Sequence, residues 1–413
     1  MKFDTVVPDD IINGSEVTYA QGCPITSLYI HVPFCGGKCS YCDFYSIARP
    51  DDDAMRMWHR GILLELTRIA DEADANQVVL APLDTIYFGG GTPSYVPPRM
   101  ISSLIDHARS LFSLTPSCDI TLEANPESVD SPLKTRAFGI WRDAGVNRIS
   151  FGVQSASNQL LLTAGRRHTA EGAAFAVTSA AEAGFRHIAV DLMTGLPGQT
   201  MTDIEDTLNF IDSLPVDHVS SYALSIAENT PFYHLWRDSP ELFPDDERER
   251  EMTHTITHRL QLLGFEHYEI SNFAKEGARS RHNLVYWHAD PYLAAGPAAA
   301  SYMAGMRRCN PAGIEEWYAL MEDTAGGPFS GSTVEETISE AEACTETILL
   351  GLRLMEGVTR ERFMQRHGID FDELFGEKLT SLERRGLVFR NAGCVRLTAR
   401  GLDFADIVAR ELV

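Results

Sequence analysis

The 413-residue chain carries 35 lysines and arginines against 58 aspartates and glutamates, a formal net charge of −23. A surface of that sign disfavours phosphate backbones and anionic lipid headgroups, so no nucleic acid is expected among the partners. Hydrophobic content of 44% is ordinary for a globular protein, no apolar run approaches the roughly 20 residues of a membrane span, and the polar N-terminus lacks a signal-peptide core. Eight cysteines are too few for a disulfide scaffold, and the chain reads as cytoplasmic, where clustered cysteines serve metal or catalytic roles.

Met1–Thr26 is a polar lead-in. Ser27–Val32 is a short apolar run that predicts a buried strand. Pro33 stops it, and Gly36-Gly37 keep the next segment as loop. A helix is expected over Asp52–Ala73, where Met55, Trp58, Ile62, Leu66 and Ile69 follow helical spacing. Strands and helices then alternate: strand 84–88 and helix 98–112, strand 119–123 and helix 133–144, strand 148–153 and helix 171–183, strand 187–193 and helix 202–213, strand 218–224. Six such units in about two hundred residues predict a parallel α/β architecture, short of the roughly 250 residues of an eight-fold barrel and so an open, partial one. Barrels place their sites at the C-terminal ends of the strands, where the polar and glycine motifs of this chain fall.

Beyond the sixth strand the pattern changes. A charged helix is expected over 245–264, a single further strand over 265–273, and Gly326-Gly327-Pro328 reads as a linker. From about Glu335 three helices (340–355, 359–367, 371–385) precede two short strands, 387–390 and 394–397, joined at Asn391-Ala392-Gly393. Helix–helix–helix–wing is a winged-helix pattern. The expected division is 1–26 lead-in, 27–225 partial barrel, 226–330 barrel extension and 331–413 C-terminal α+β domain. Cys118, Cys309, Cys344 and Cys394 are scattered and read as buried filler.

Cys35, Cys39 and Cys42 lie within one loop. A loop lets three thiolates converge; a helix would spread them along its axis. Zinc takes four ligands, commonly as two separated pairs. A disulfide would leave one thiol over. An iron–sulfur cube takes one cysteine per iron, so three leave one iron open for a substrate or cofactor. Cys23 is the one alternative fourth ligand on that side, twelve residues and a strand away.

C-x-x-x-C-x-x-C after a strand, with Tyr41 just before the last cysteine, resembles the radical S-adenosylmethionine signature. The flanking Y-I-H-V-P-F-C and C-D-F-Y-S resemble the oxygen-independent coproporphyrinogen III oxidase family, and within it the branch of HemW-like haem chaperones, from about Ser27 to the C-terminus. The resemblance implies a partial (β/α)6 barrel, a [4Fe–4S] cluster on Cys35, Cys39 and Cys42, and S-adenosylmethionine on the open iron. It further implies cofactor contacts from Tyr29, from Gly90, Gly91 and Thr92 in the glycine turn, and from Glu123, Gln154, Arg166, Asp191 and Ala223. Arg167 is a rival to Arg166, whose guanidinium fork suits the cofactor carboxylate.

Two features point within the family. Catalytic oxidases carry a fourth cysteine two residues after the third, where this chain has Phe44. The run His282-Asn283-Leu284-Val285-Tyr286-Trp287 is the H-N-x-x-Y-W motif with which the chaperones hold haem, His288 being a neighbouring candidate for the iron. The expected partners are therefore haem, an acceptor haem protein that can be membrane-bound, a one-electron reductant protein of flavodoxin or ferredoxin type, and a second copy in a homodimer. Peripheral membrane association would follow from a membrane-bound acceptor. The rival reading is an enzyme, oxidative decarboxylation of coproporphyrinogen III to protoporphyrinogen IX, with a radical methyltransferase as a third; whether the chain turns over substrate at all is left open.

Overall fold

The computed structural model describes residues 23–75, 79–323 and 331–413. Most of the expected lead-in and the glycine linker at 326–328 lie outside them.

The barrel is laid down in order: β1 (Ile25–Val32), α1 (Asp52–Ala75), β2 (Leu80–Gly90), α2 (Pro98–Leu111), β3 (Leu114–Ala124), α3 (Arg136–Ala144), β4 (Arg148–Gln154), α4 (Asn158–Thr163), α5 (Ala170–Glu182), β5 (His187–Thr194), α6 (Met201–Asp212) and β6 (His218–Ala223). Local chemistry sets the helix starts. Pro98 opens α2, where its missing N–H costs nothing. Thr169 caps α5, and Thr200 with Asp203 closes a capping box on α6. Every residue of β4 is buried, as a parallel strand covered on both faces requires.

After β6 come α7 (Pro231–Asp238), α8 (Asp246–Leu262), β7 (Glu266–Glu269), β8 (Asn272–Ala274), α9 (Arg281–Trp287), β9 (Leu293–Ala295), β10 (Ala300–Met303), β11 (Met306–Cys309) and α10 (Ile314–Glu322). The main sheet runs β9-β1-β2-β3-β4-β5-β6-β8-β7. β9 lies parallel to β1, Leu293 beside Leu28, and β8 is antiparallel to β6, Phe273 beside Val219. The expected six-stranded parallel sheet is thus extended at both edges. The single strand expected over 265–273 is instead a hairpin: the backbone turns at Ile270-Ser271, where the Ser271 N–H donates to Glu269 Oε2 at 3.1 Å.

A second sheet joins β10, β11 and β12 (Thr333–Thr337). The C-terminal unit comes next: α11 (Glu340–Gly351), β13 (Val358–Thr359), α12 (Arg360–His367), α13 (Phe371–Arg384), β14 (Val388–Arg390), β15 (Cys394–Leu397), α14 (Ala399–Asp403) and α15 (Ala405–Leu412). Its three antiparallel strands and the helices before them make the winged-helix arrangement, around a separate core that includes Phe363, Phe371, Phe375 and Leu379. Cys118 and Cys344 are buried as expected, whereas Cys309 and Cys394 are only half-buried. Among the described residues no helix is long and apolar enough to cross a membrane.

Candidate cofactor cavity

The loop after β1 is pinned at both ends. Phe34–Cys35 pairs in parallel with Ile47–Ala48, and the Arg49 N–H donates to Cys35 O at 2.8 Å. Between them Ser40 bridges two other elements: its N–H donates to Ala164 O, and its carbonyl accepts from the Phe232 N–H, both at 3.0 Å. Arg167 Nη1 donates to Gly36 O at 2.5 Å. The loop therefore holds its shape through contacts from α4 and α7.

Cys35, Cys39 and Cys42 all line one cavity of about 480 Å³ at the C-terminal ends of the strands. Cys23 is not among the lining residues. Burial pushes the Cys35 and Cys42 thiols up, so three thiolates side by side call for cationic compensation, which bound iron would supply. Among the described residues no three His, Cys, Asp or Glu side chains converge at single-ion spacing. Three thiols on one loop at one cavity are a donor set that fits an iron–sulfur cluster held by three cysteines.

The glycine turn closes one wall. The Gly91 N–H donates to Val32 O at 2.9 Å and the Thr92 N–H to Phe34 O at 2.7 Å, which locks the turn against the start of the cysteine loop. A Cβ on Gly91 would sit 2.8 Å from both Val32 O and Phe34 O, and Gly90 has φ +108°. Both positions demand glycine. Thr92 Oγ1 lies 3.3 Å from Cys35 Sγ and accepts from Asn125 Nδ2 at 3.0 Å.

Two carboxylates face the cavity. Glu123, next to last in β3, accepts from the Tyr87 hydroxyl at 2.7 Å and from the Gly90 N–H at 3.2 Å. Burial, with Asp191 nearby, pushes it up to about 7. Asp191 accepts from Ser150 Oγ at 3.4 Å, and burial lifts it to about 6. Two acids whose ionised forms are disfavoured by burial suit a ligand that brings positive charge and hydroxyl donors. S-adenosylmethionine, with a sulfonium, an ammonium and a ribose, is such a ligand.

Arg166 supplies the opposite sign. Its Nη2 donates to Asn125 Oδ1 at 2.7 Å and to Gly152 O at 2.5 Å; its Nη1 reaches Cys39 Sγ at 3.5 Å. Burial opposes the charge, but Tyr41, Cys39 and Glu127 more than offset it and hold the guanidinium charged. Its Nε is buried without a hydrogen-bond partner, a donor that an anionic group of a ligand would satisfy. Gln154, the last residue of β4, lines the cavity with φ +67°, a backbone state that non-glycine residues hold only when the surroundings impose it. Ala223 lines it too. Arg167 does not.

Not every expected residue meets here. Tyr29 is outside the lining: its hydroxyl lies 3.1 Å from His31 Nδ1 and its ring flanks Tyr87. His282 is 2% exposed and likewise outside the lining. The H-N-x-x-Y-W run is split three ways. Asn283 lines the cofactor cavity, and His282 and Tyr286 pack inward. Trp287 and His288 line a separate cleft of about 360 Å³ against α11, β13 and α12. There Arg353 lies over the Trp287 ring at 4.5 Å. Sequence reasoning missed Tyr87, Asn125 and Tyr222, which line the cavity one to three residues from expected positions. Their closeness in sequence to Gly90, Glu123 and Ala223 was the available signal. Phe44, at the cavity rim, is 66% exposed.

Residues 29–211 match the radical SAM superfamily and residues 338–404 the HemN C-terminal domain. With the three-thiol cavity, these define a radical SAM barrel carrying a HemN-type C-terminal domain. The chain is 35% identical to the heme chaperone HemW of Bacillus subtilis, over 91% of this chain and 96% of that protein. It is 33% identical to that of Mycobacterium tuberculosis, over 94% of each. The chain belongs to the HemW family of radical SAM proteins. Coproporphyrinogen III oxidase (HemN) from Escherichia coli, a radical SAM enzyme, has the same fold, with a TM-score of 0.79 at 20% identity, covering 96% of this chain and 91% of that one.

Proposed function

We propose that this chain is a haem chaperone: it binds haem and passes it to an acceptor haem protein. The observation that carries this reading is its end-to-end likeness to heme chaperones HemW, 35% identical over 91% of its length in the B. subtilis case. In this reading Cys35, Cys39 and Cys42 hold a [4Fe–4S] cluster. Gly90, Gly91 and Thr92 present backbone and hydroxyl groups to S-adenosylmethionine, Glu123 and Asp191 take its hydroxyl or cationic groups, and Arg166 takes its carboxylate. Gln154 and Ala223 complete the wall, with Tyr29 supporting it from behind. When bound, cluster and S-adenosylmethionine together supply one-electron chemistry.

Haem is the cargo, received near the His282–Trp287 run. The rest of the reading goes with it: an acceptor that can be membrane-bound, a flavodoxin- or ferredoxin-type reductant, and a homodimer. The division at 27–225, 226–330 and 331–413 assigns the cluster to the barrel and haem to its border with the C-terminal unit. Phe44, standing where catalytic oxidases have a fourth cysteine, supports a chaperone over a decarboxylase. The test is anaerobic purification with the cluster reconstituted. The protein is then offered haem and, separately, coproporphyrinogen III with S-adenosylmethionine and dithionite. Stoichiometric haem binding, transfer to a haem-depleted acceptor and no protoporphyrinogen are expected. Turnover of the porphyrinogen defeats the reading.

A further inference from the structure

The motif histidine sits in a stack that ends at the other ligand. His282 Nδ1 lies 2.7 Å from Thr85 Oγ1 and Nε2 lies 2.9 Å from the Tyr286 hydroxyl. Both ring nitrogens are engaged and the ring is enclosed. Its face lies on Tyr87, with centroids 4.9 Å apart and planes 23° apart. Tyr29 flanks both rings, 6.1 Å from Tyr87 and 6.3 Å from His282. The Tyr87 hydroxyl then donates to Glu123, and the other Glu123 oxygen accepts from the Gly90 N–H. The packing leaves no slack: a Cβ on Gly89 would lie 2.8 Å from the Tyr87 ring, 3.0 Å from Tyr29 and 3.1 Å from Glu123.

We infer, on the reading of Glu123 and Gly90 as S-adenosylmethionine contacts, that His282 is a positioning residue for that ligand. It acts through the ring of Tyr87 on the Glu123 carboxylate. The Tyr87 ring that presents its hydroxyl to Glu123 rests on flat neighbours, of which His282, at 4.9 Å against 6.1 Å for Tyr29, is the nearer. Thr85 and Tyr286 fix the plane of His282 in turn. His282 also ties α9 to β2, so a ligand that disturbs α9 changes the wall around Glu123. By linkage, S-adenosylmethionine would resist that disturbance equally.

The test measures S-adenosylmethionine affinity by equilibrium dialysis on cluster-reconstituted protein, for wild type, Glu123→Gln, Tyr87→Phe, His282→Ala, His282→Phe and the Tyr87→Phe/His282→Ala double variant. Cluster absorbance and a melting curve on each sample check that it is folded and loaded. His282→Ala is expected to weaken binding roughly five- to tenfold, the size of one misplaced hydrogen bond. The double variant should be no weaker than its worse single parent, because both act on one contact. His282→Phe, which restores a flat ring against Tyr87, should recover most of the affinity.

The pH dependence gives a readout that general loosening would not move. Glu123 is bonded to Tyr87 and close enough to Asp191, Tyr29, Tyr222 and Tyr286 for their charges to interact, and the Tyr87 hydroxyl favours its ionised form. Losing that donor moves the Glu123 midpoint up, so binding in His282→Ala should set in at higher pH than in wild type. If Glu123→Gln is weakened while His282→Ala matches wild type in affinity and pH midpoint, the inference falls and the contact assignment survives. If Glu123→Gln also binds normally, both fall. Should His282→Ala not fold, His282→Phe and Tyr87→Phe still decide: equal loss in both variants overturns the stacking role.

Discussion

Single residues around the cavity carry distinct kinds of constraint, and substitution separates them. Cys39 has Arg166 at 3.5 Å and is one of three thiols that a cluster would need. Cys39→Ser, reconstituted alongside wild type, should lack the brown iron–sulfur absorbance; a surviving band would mean that other side chains hold the metal. Gly91 is constrained by space. Its missing Cβ would meet two backbone carbonyls at 2.8 Å, which cannot swing aside as a side-chain tip could. Gly91→Ala should cost about 1–3 kcal/mol in urea denaturation. Gly139, in α3 with nothing within 4 Å of a Cβ, should behave oppositely: Gly139→Ala should stabilise by about 0.5–1 kcal/mol, because alanine loses less backbone freedom in a helix.

At the scale of elements, α9 links the two halves of the molecule. Seven residues long, it begins at Ser280, whose side chain accepts from the Asn283 N–H. Its far end is held by α12. Asp290 accepts from Arg362 Nη2 at 2.7 and 2.8 Å and from Arg366 Nη1 at 3.0 Å, and Arg366 Nη1 also donates to His288 O at 2.9 Å. The C-terminal unit thereby fixes the last turn of the H-N-x-x-Y-W helix. Asp290→Ala removes the carboxylate that bonds Arg362 and one of the acceptors of Arg366, and should cost about 2 kcal/mol. Amide exchange should rise first in the last turn of α9; uniform exchange across the barrel would show that the clamp is not local. Ser339, which closes a capping box with Glu342 at the start of α11, should cost about 1 kcal/mol when replaced by alanine.

For the whole molecule, pH acts through buried groups. Burial lowers His218, His282 and His367 to about 3. The unfolded chain takes up protons near pH 6.5 while the folded one does not. The stability these histidines allow is therefore complete above pH 6.5 and is lost as pH falls toward 3. Glu65, Glu123 and Asp191 are raised to about 7, 7 and 6. Their sign is opposite: the stability they allow is complete below about pH 4 and is lost as pH rises through 6 to 7. His218→Gln isolates one member. Between pH 6.5 and 5 it should lose up to about 2 kcal/mol less than wild type, read as the difference in urea midpoints at the two values. The six strand–helix units, the winged C-terminal pattern and the cysteine loop were legible in the sequence, because periodicity, turn residues and ligand spacing are local properties. The turn that splits the expected 265–273 strand into β7 and β8 was not, nor was β9, since what makes these strands is the partner each finds: β8 on β6, β7 on β8 and β9 on β1. Nor could spacing show that Tyr29 and His282 stack behind the cavity wall while Asn283 faces into it. Adjacent positions on a helix point about 100° apart, and only packing against β2 selects which of them meets the ligand. Local chemistry thus determined which groups this protein owns, and long-range contact decided which of them stand together.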